Sequence, residues 1–254
     1  MSLASLDVSI LLPAMLAGLL VLATHVPLGQ QVLARGIIFI DLAIAQIAGL
    51  GVIAAHSFRW EPGGWEVQLV ASASALGGSW LLYVAERRWP AIQEAFIGSV
   101  FVLAATAAIL LLAANPRGGE HLRELLTGQI LWVQYRELVL VAVLYAALLV
   151  VWYSFARKRS SLYFYLIFAL AVTASVQLVG VYLVFASLIV PALATVRYAP
   201  SKRTAIAFAV GITGFALGIV LSATFDLPTG ALIVWTLALV AIAAHLLAPR
   251  IIPR

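Results

Sequence analysis

The stretch R-G-I-I-F-I-D-L-A-I-A-Q-I-A-G-L-G-V-I-A-A-H, residues 35–56, decides the fold class. Between Arg35 and His56 it carries one charged side chain, Asp41, and about 20 apolar residues suffice for a helix to cross a bilayer. Asp41 lies ~9 Å from Arg35 at helical rise. A charge inside hydrocarbon costs a few kcal/mol or more, so such residues tend to face a bundle interior or a water-filled path. That makes Asp41 a candidate path residue. The bland alternative is a carboxylate near the interface, neutral or paired with Arg35.

The rest of the chain has the same character. Of 254 residues, 64% are hydrophobic and 10% charged, and the mean hydropathy is +1.10, which excludes an ordinary soluble domain and places the chain among polytopic membrane proteins. The expected fold is all-α, a helical bundle forming a single transmembrane domain over 1–254. With no cysteine, disulfides and thiolate metal ligands are excluded. The net charge of +5 reads as membrane orientation rather than as an acidic partner. Asp7 stands where a signal peptide would be basic, so the first apolar run is expected to be a retained span.

Apolar runs fall at 8–28, 36–56, 66–85, 95–114, 136–156, 162–196, 204–224 and 229–248. The run 162–196 is too long for one span and holds Gly180 and Pro191, so two shorter pieces that enter and return are expected, for eight or nine segments in all. With the N-terminus outside, one face collects Arg35, Arg87, Arg88, Arg157, Lys158, Arg159, Arg197, Lys202, Arg203, Arg250 and Arg254, eleven of the fifteen basic residues. Arg59, Arg117, Arg123 and Arg136 share the other face with seven acids. This asymmetry makes the basic face cytoplasmic and puts the C-terminus inside.

Between the fourth and fifth runs, Asn115-Pro116 and Gly118-Gly119 precede an amphipathic segment that lies on the outer surface or dips in at Gly128. Its apolar face is expected to hold Leu122, Leu125, Leu126 and Ile130, opposite Glu120, Arg123 and Glu124. Ser74 with Gly78, and Gly214 with Gly218, have the four-residue spacing that lets helices approach closely. Most tryptophans lie near span ends, as interfacial anchors do.

No nucleotide loop, hydrolase elbow, zinc-protease or dinucleotide motif is present, so no enzyme chemistry is expected, and an ATP-driven step would need another chain. Polar residues in or beside the spans are His25, Asp41, Gln46, His56, Glu94, Gln129, Gln177, Asp226 and His245. A divalent cation needs several oxygen or imidazole ligands facing one cavity. Asp41 and Gln46 stand about 140° apart around a helix, so they do not both point into one narrow channel. His56, Glu120, His121 and Asp226 lie toward the outer face, where a cation could be received, although each also reads as solvated surface. His25 and His245 read as hydrogen-bonded bundle residues. Gln177, before the break at Gly180, reads as a partner for freed backbone groups or as path lining.

Four segments together resemble the permease subunits of the bacterial zinc, manganese and iron ABC importers. D-L-P-T-G-A-L-I-V at 226–234 is similar to that family's D-L-P-[ST]-G-[AP]-x-I-V, and V-G-V-Y-L-V-F-A-S-L-I-V-P-A-L-A-T at 179–195 to its V-G-x-L-L-V-x-A-L-L-I-x-P-A-A-T. E-A-F-I-G-S-V-F at 94–101 and L-L-T-G-Q-I-L-W-V at 125–133 resemble its D-x-x-I-G-I-x-F and L-F-G-D-I-L-x-V, in the same order. Three departures stand out. The family's G-D-A-L-S-H-A-x-L-P-G pairs Asp with His, whereas here Gln46 takes the imidazole's place. Gln129 stands where the family has Asp. Only A-R-K-R-S-S, 156–161, occupies the place of a cytoplasmic segment resembling F-D-P-E-x-A-x-x-x-G that docks on the ATPase.

The resemblance implies an inner-membrane permease for a divalent metal, with Asp41, Gln46, Gln129 and Gln177 along the path, Asp41 as metal ligand and the break at Gly180 as gate. No cofactor is expected on this chain, since ATP would act on a partner. Implied partners are a cytoplasmic ATP-binding subunit, a periplasmic metal-binding protein and a second copy of the chain, with no role for nucleic acid. The ATPase would dock on Arg157, Lys158 and Arg159 with Lys202 and Arg203. The short 156–161 loop leaves open an ATPase-independent carrier or channel, and a non-transporting component that binds a partner is a further alternative.

Overall fold

The computed structural model describes residues 8–57, 65–113, 118–155 and 161–248. Among them the chain is all-α: α1 Val8–Arg35, α2 Ile40–Ser57, α3 Trp65–Arg88, α4 Gln93–Leu112, α5 Gly118–Thr127, α6 Tyr135–Phe155, α7 Ser161–Val179, α8 Val181–Ala194, α9 Pro200–Phe225 and α10 Thr229–Leu246. Seven of these segments are long and apolar enough to cross a membrane, and α2 and α8 are shorter apolar helices. This is the expected polytopic bundle, with α5 as the amphipathic exception.

Two expectations about breaks are refined. The run beginning at residue 36 is not helical from its start, because Gly36 has φ +71° and ends α1, and a turn closed by Ile40 N–H on the Ile37 carbonyl precedes α2. Asp41 therefore stands in the first turn of its helix. The run 162–196 does break at Gly180, whose φ is +82°, but Pro191 lies inside α8 without ending it. Apolar spans tolerate proline because neighbouring helices and side-chain hydroxyls cover the carbonyl it leaves free.

The chain forms two compact units of interleaved segments: 1–35, 127–145 and 178–254 in one, 36–126 and 146–177 in the other. In the first, α1 packs on α8 and α9, and α10 on the same two helices. Absent side chains set these crossings. A Cβ on Gly18 would lie 2.4 Å from the Phe215 ring and one on Gly211 2.5 Å from Leu22, while Gly214 and Gly218 admit Leu237 and Ile233 of α10. Thr236 then donates to the Gly214 carbonyl at 2.7 Å.

In the second unit α2 packs on α3 and α4. Gly51 receives Ser74, and Gly78 receives Ile47, so both small-residue pairs marked in the sequence are close-packing points. The helices α3 and α7 run antiparallel, tied by Gln68 with Gln177, Ser79 with the Tyr165 carbonyl at 2.6 Å, and Ser161 with Glu86. Leu122 and Leu125 of α5 pack with Leu50 against Ile53, Ala108 and Leu112. Ile130 is not on that helix, which ends at Thr127; it belongs to a short 3-10 turn, Ile130–Trp132, in the other unit.

Candidate functional site

Asp41 is 1% exposed, and neither carboxylate oxygen has a hydrogen-bond partner among the described residues. An unpaired buried acid is costly. Gln46, one and a half turns along α2, is also buried, at 8% exposure. The start of α2 is held by Glu94, whose Oε1 accepts from the Phe39 N–H at 3.2 Å. Glu94 Oε2 is buried and has no hydrogen-bond partner among the described residues. The next residue back, Gln93, donates to the Tyr165 hydroxyl at 2.7 Å. The first turn of α4 is thereby fastened to α2 and to α7.

Gln177 is exposed on the surface of its unit, and its Oε1 accepts from Gln68 of α3. Gln129 is exposed and precedes the 3-10 turn at 130–132. Beside it, Gly128 has φ +64° and meets the backbone of Val179 and Gly180, a contact too close for any Cβ, while Gly230 meets the Thr127 carbonyl. The glycines of L-L-T-G-Q, V-G-V and L-P-T-G thus bring three chain segments into backbone contact.

Of the outer-face residues, His56 falls on α2 and His121 on α5, Glu120 is exposed on α5, and Asp226 is exposed after α9. Asp226 has a left-handed φ of +53°, and Ser222 Oγ donates to the Leu227 carbonyl at 2.6 Å, so this acid shapes the α9–α10 turn. Among the described residues no three His, Cys, Asp or Glu side chains are grouped to hold a metal. Arg157, Lys158 and Arg159 lie outside the described residues. Lys202 is exposed, and Arg203 donates to the carbonyls of Tyr198 at 2.9 Å and Val196 at 2.8 Å, bracing the α8–α9 turn. His25 is fully buried in α1 with Nδ1 3.1 Å from Thr24 Oγ1. His245 is half-buried in the last turn of α10.

Sequence reasoning named Glu94 but gave it no role, and it passed over Gln68. Glu94 carried a signal, an acid at the start of a strongly apolar helix, yet its hydrogen bond reaches fifty-five positions back and no local pattern announces it.

A Haemophilus influenzae protein described as an iron transport system membrane protein is 31% identical over 137 residues, 45% of this chain and 50% of that protein, so the matched part spans half of that relative. The Synechocystis membrane protein slr2045 is 27% identical over 92% of this chain and 88% of its own length. Among solved structures, PsaBC from Streptococcus pneumoniae in complex with Fab matches with a TM-score of 0.77 at 19% identity, covering 95% of this chain and 92% of the other. An inward-facing structure described as a metal-chelate type ABC transporter matches with a TM-score of 0.67 at 15% identity, covering 93% and 82%. The bundle therefore shares the fold of these two structures. The pattern of the ABC 3 transport family fits residues 7–164 and 154–248, nearly the whole chain, and the chain is a multi-pass membrane permease belonging to that family.

Proposed function

We propose that this chain is the permease subunit of a divalent-metal ABC importer, that Asp41 lines its path, and that ATP acts on a partner subunit. The observation that carries the reading is the unpaired, buried Asp41 carboxylate in a chain whose family match is nearly complete. The names of the relatives support metal as the cargo class. An oxygen ligand from Asp41 without a neighbouring imidazole is a hard donor, which favours manganese or iron over zinc.

In this scheme the chain sits in the inner membrane with its N-terminus outside and C-terminus inside. It pairs with a second copy, receives metal from a periplasmic binding protein at the face holding His56, Glu120, His121 and Asp226, and meets a cytoplasmic ATPase at the basic face. The braced turn carrying Arg203, with Lys202 and the 157–159 cluster, is the ATPase contact. The glycine crossing at 128 and 180 is the place where the path is gated.

The test is metal accumulation in cells lacking other importers. Asp41→Asn removes the charge at nearly constant volume and is expected to lower accumulation by at least about tenfold, the scale of losing one good ligand. Unchanged accumulation would falsify the path assignment. Deleting the partner ATPase is expected to abolish uptake. The short 156–161 loop favours a second reading, an ATPase-independent carrier, and uptake that survives the deletion would establish that reading instead.

A further inference from the structure

We infer that Glu94 is a second carboxylate of the Asp41 site, fixing the start of α2 with one oxygen and presenting the other to a divalent cation; the inference rests on the reading of Asp41 as a path residue. Glu94 Oε1 accepts from the N–H of Phe39, only two residues before Asp41. Side chains on an α-helix lean toward its N-terminus, so Asp41, second residue of α2, leans toward the end that Glu94 holds. Among the described residues, three carboxylate oxygens, both of Asp41 and Oε2 of Glu94, are buried without a hydrogen-bond partner.

Buried acids without partners lose hydration, so the arrangement is unfavourable until a cation arrives. A divalent cation removes that cost, and hard oxygen ligands suit manganese- or magnesium-like ions better than thiophilic ones. A cap role alone does not account for Glu94. Capping the Phe39 N–H uses one oxygen, and a neutral glutamine would supply that acceptor without burying a charge. The α4 backbone is also set independently by the Gln93 bond to Tyr165, a fully buried residue whose own carbonyl is held by Ser79, so Glu94 is presented on a fixed frame.

The experiment is equilibrium binding of Mn2+ and of Zn2+, each alone, to the purified full chain in lipid nanodiscs. Wild type is expected to bind, and Asp41→Asn to lose binding. Glu94→Gln, which keeps the acceptor for Phe39 and loses the charge, is expected to weaken Mn2+ binding by about tenfold or more while melting as wild type does. Wild-type affinity in Glu94→Gln would mean that Glu94 is a helix cap only, and would overturn the inference while leaving the Asp41 reading intact. A wild type that binds neither ion, or an Asp41→Asn that binds normally, would overturn the Asp41 reading itself. Should Glu94→Gln not fold, Glu94→His decides: a ligand's replacement by imidazole is expected to shift preference from Mn2+ toward Zn2+, and an unchanged preference rejects the ligand role.

Discussion

Gly36 and Gly128 share a positive φ, +71° and +64°, and differ in what surrounds them. Nothing stands within 4 Å of a Cβ added at Gly36, whereas one at Gly128 would lie 2.2 Å from the Val179 carbonyl. Gly36→Ala should therefore cost only the left-handed conformation, about 1 kcal/mol. Gly128→Ala adds a collision with backbone that has no rotamer to yield, and should lower the melting temperature several times further. Thermal unfolding of the two variants in detergent checks the difference, and equal losses would refute the close crossing. The same contrast marks what single residues reveal in a sequence. Asp41 was legible because an acid in an apolar run is anomalous wherever the run packs. The partners of Glu94, Gln68 and Gly128 were not, because each lies far away along the chain.

Between elements, spacing carried more of the structure. The intervals Ser74–Gly78 and Gly214–Gly218 mark real crossings, since small residues one turn apart leave a groove that a neighbour's Ile or Leu fills. Gly214→Leu should separate α9 from α10, displacing Leu237 and breaking the Thr236 bond to the Gly214 carbonyl, for a loss of at least about 2 kcal/mol. Gly77→Ala is the matched control: nothing lies within 4 Å of that Cβ, so the variant should be neutral or gain up to about 1 kcal/mol of helix propensity. Melting curves in one lipid composition decide, and a Gly214→Leu protein as stable as Gly77→Ala would dismiss the groove. The long run 162–196 was read less well. Its length required a break and Gly180 supplied it, but Pro191 carries no such meaning where apolar neighbours enclose the helix: Leu188 and Ala192 of α8 pack around Gly29 of α1.

For the whole molecule, fold class followed from hydropathy because a chain of 64% hydrophobic residues has few soluble solutions, while orientation rests on where the charges fall. The division into two interleaved units was illegible, since the segments of each are separated by stretches belonging to the other. Orientation is directly measurable because the chain has no cysteine, so each introduced thiol is the sole label site. Ala91, Ser201, Gly119 and Leu227 are all exposed; the charge count assigns the connections of the first two to the basic face and those of the last two to the acidic face. In intact spheroplasts a membrane-impermeant maleimide should label Gly119→Cys and Leu227→Cys, and should reach Ala91→Cys and Ser201→Cys only after lysis. The reverse pattern would invert the orientation and move the proposed ATPase contact to the other face. Labelling of all four from outside would remove the two-sided arrangement on which alternating access depends, because a carrier that exposes its path to one side at a time must keep these two sets of turns on opposite faces of the bilayer.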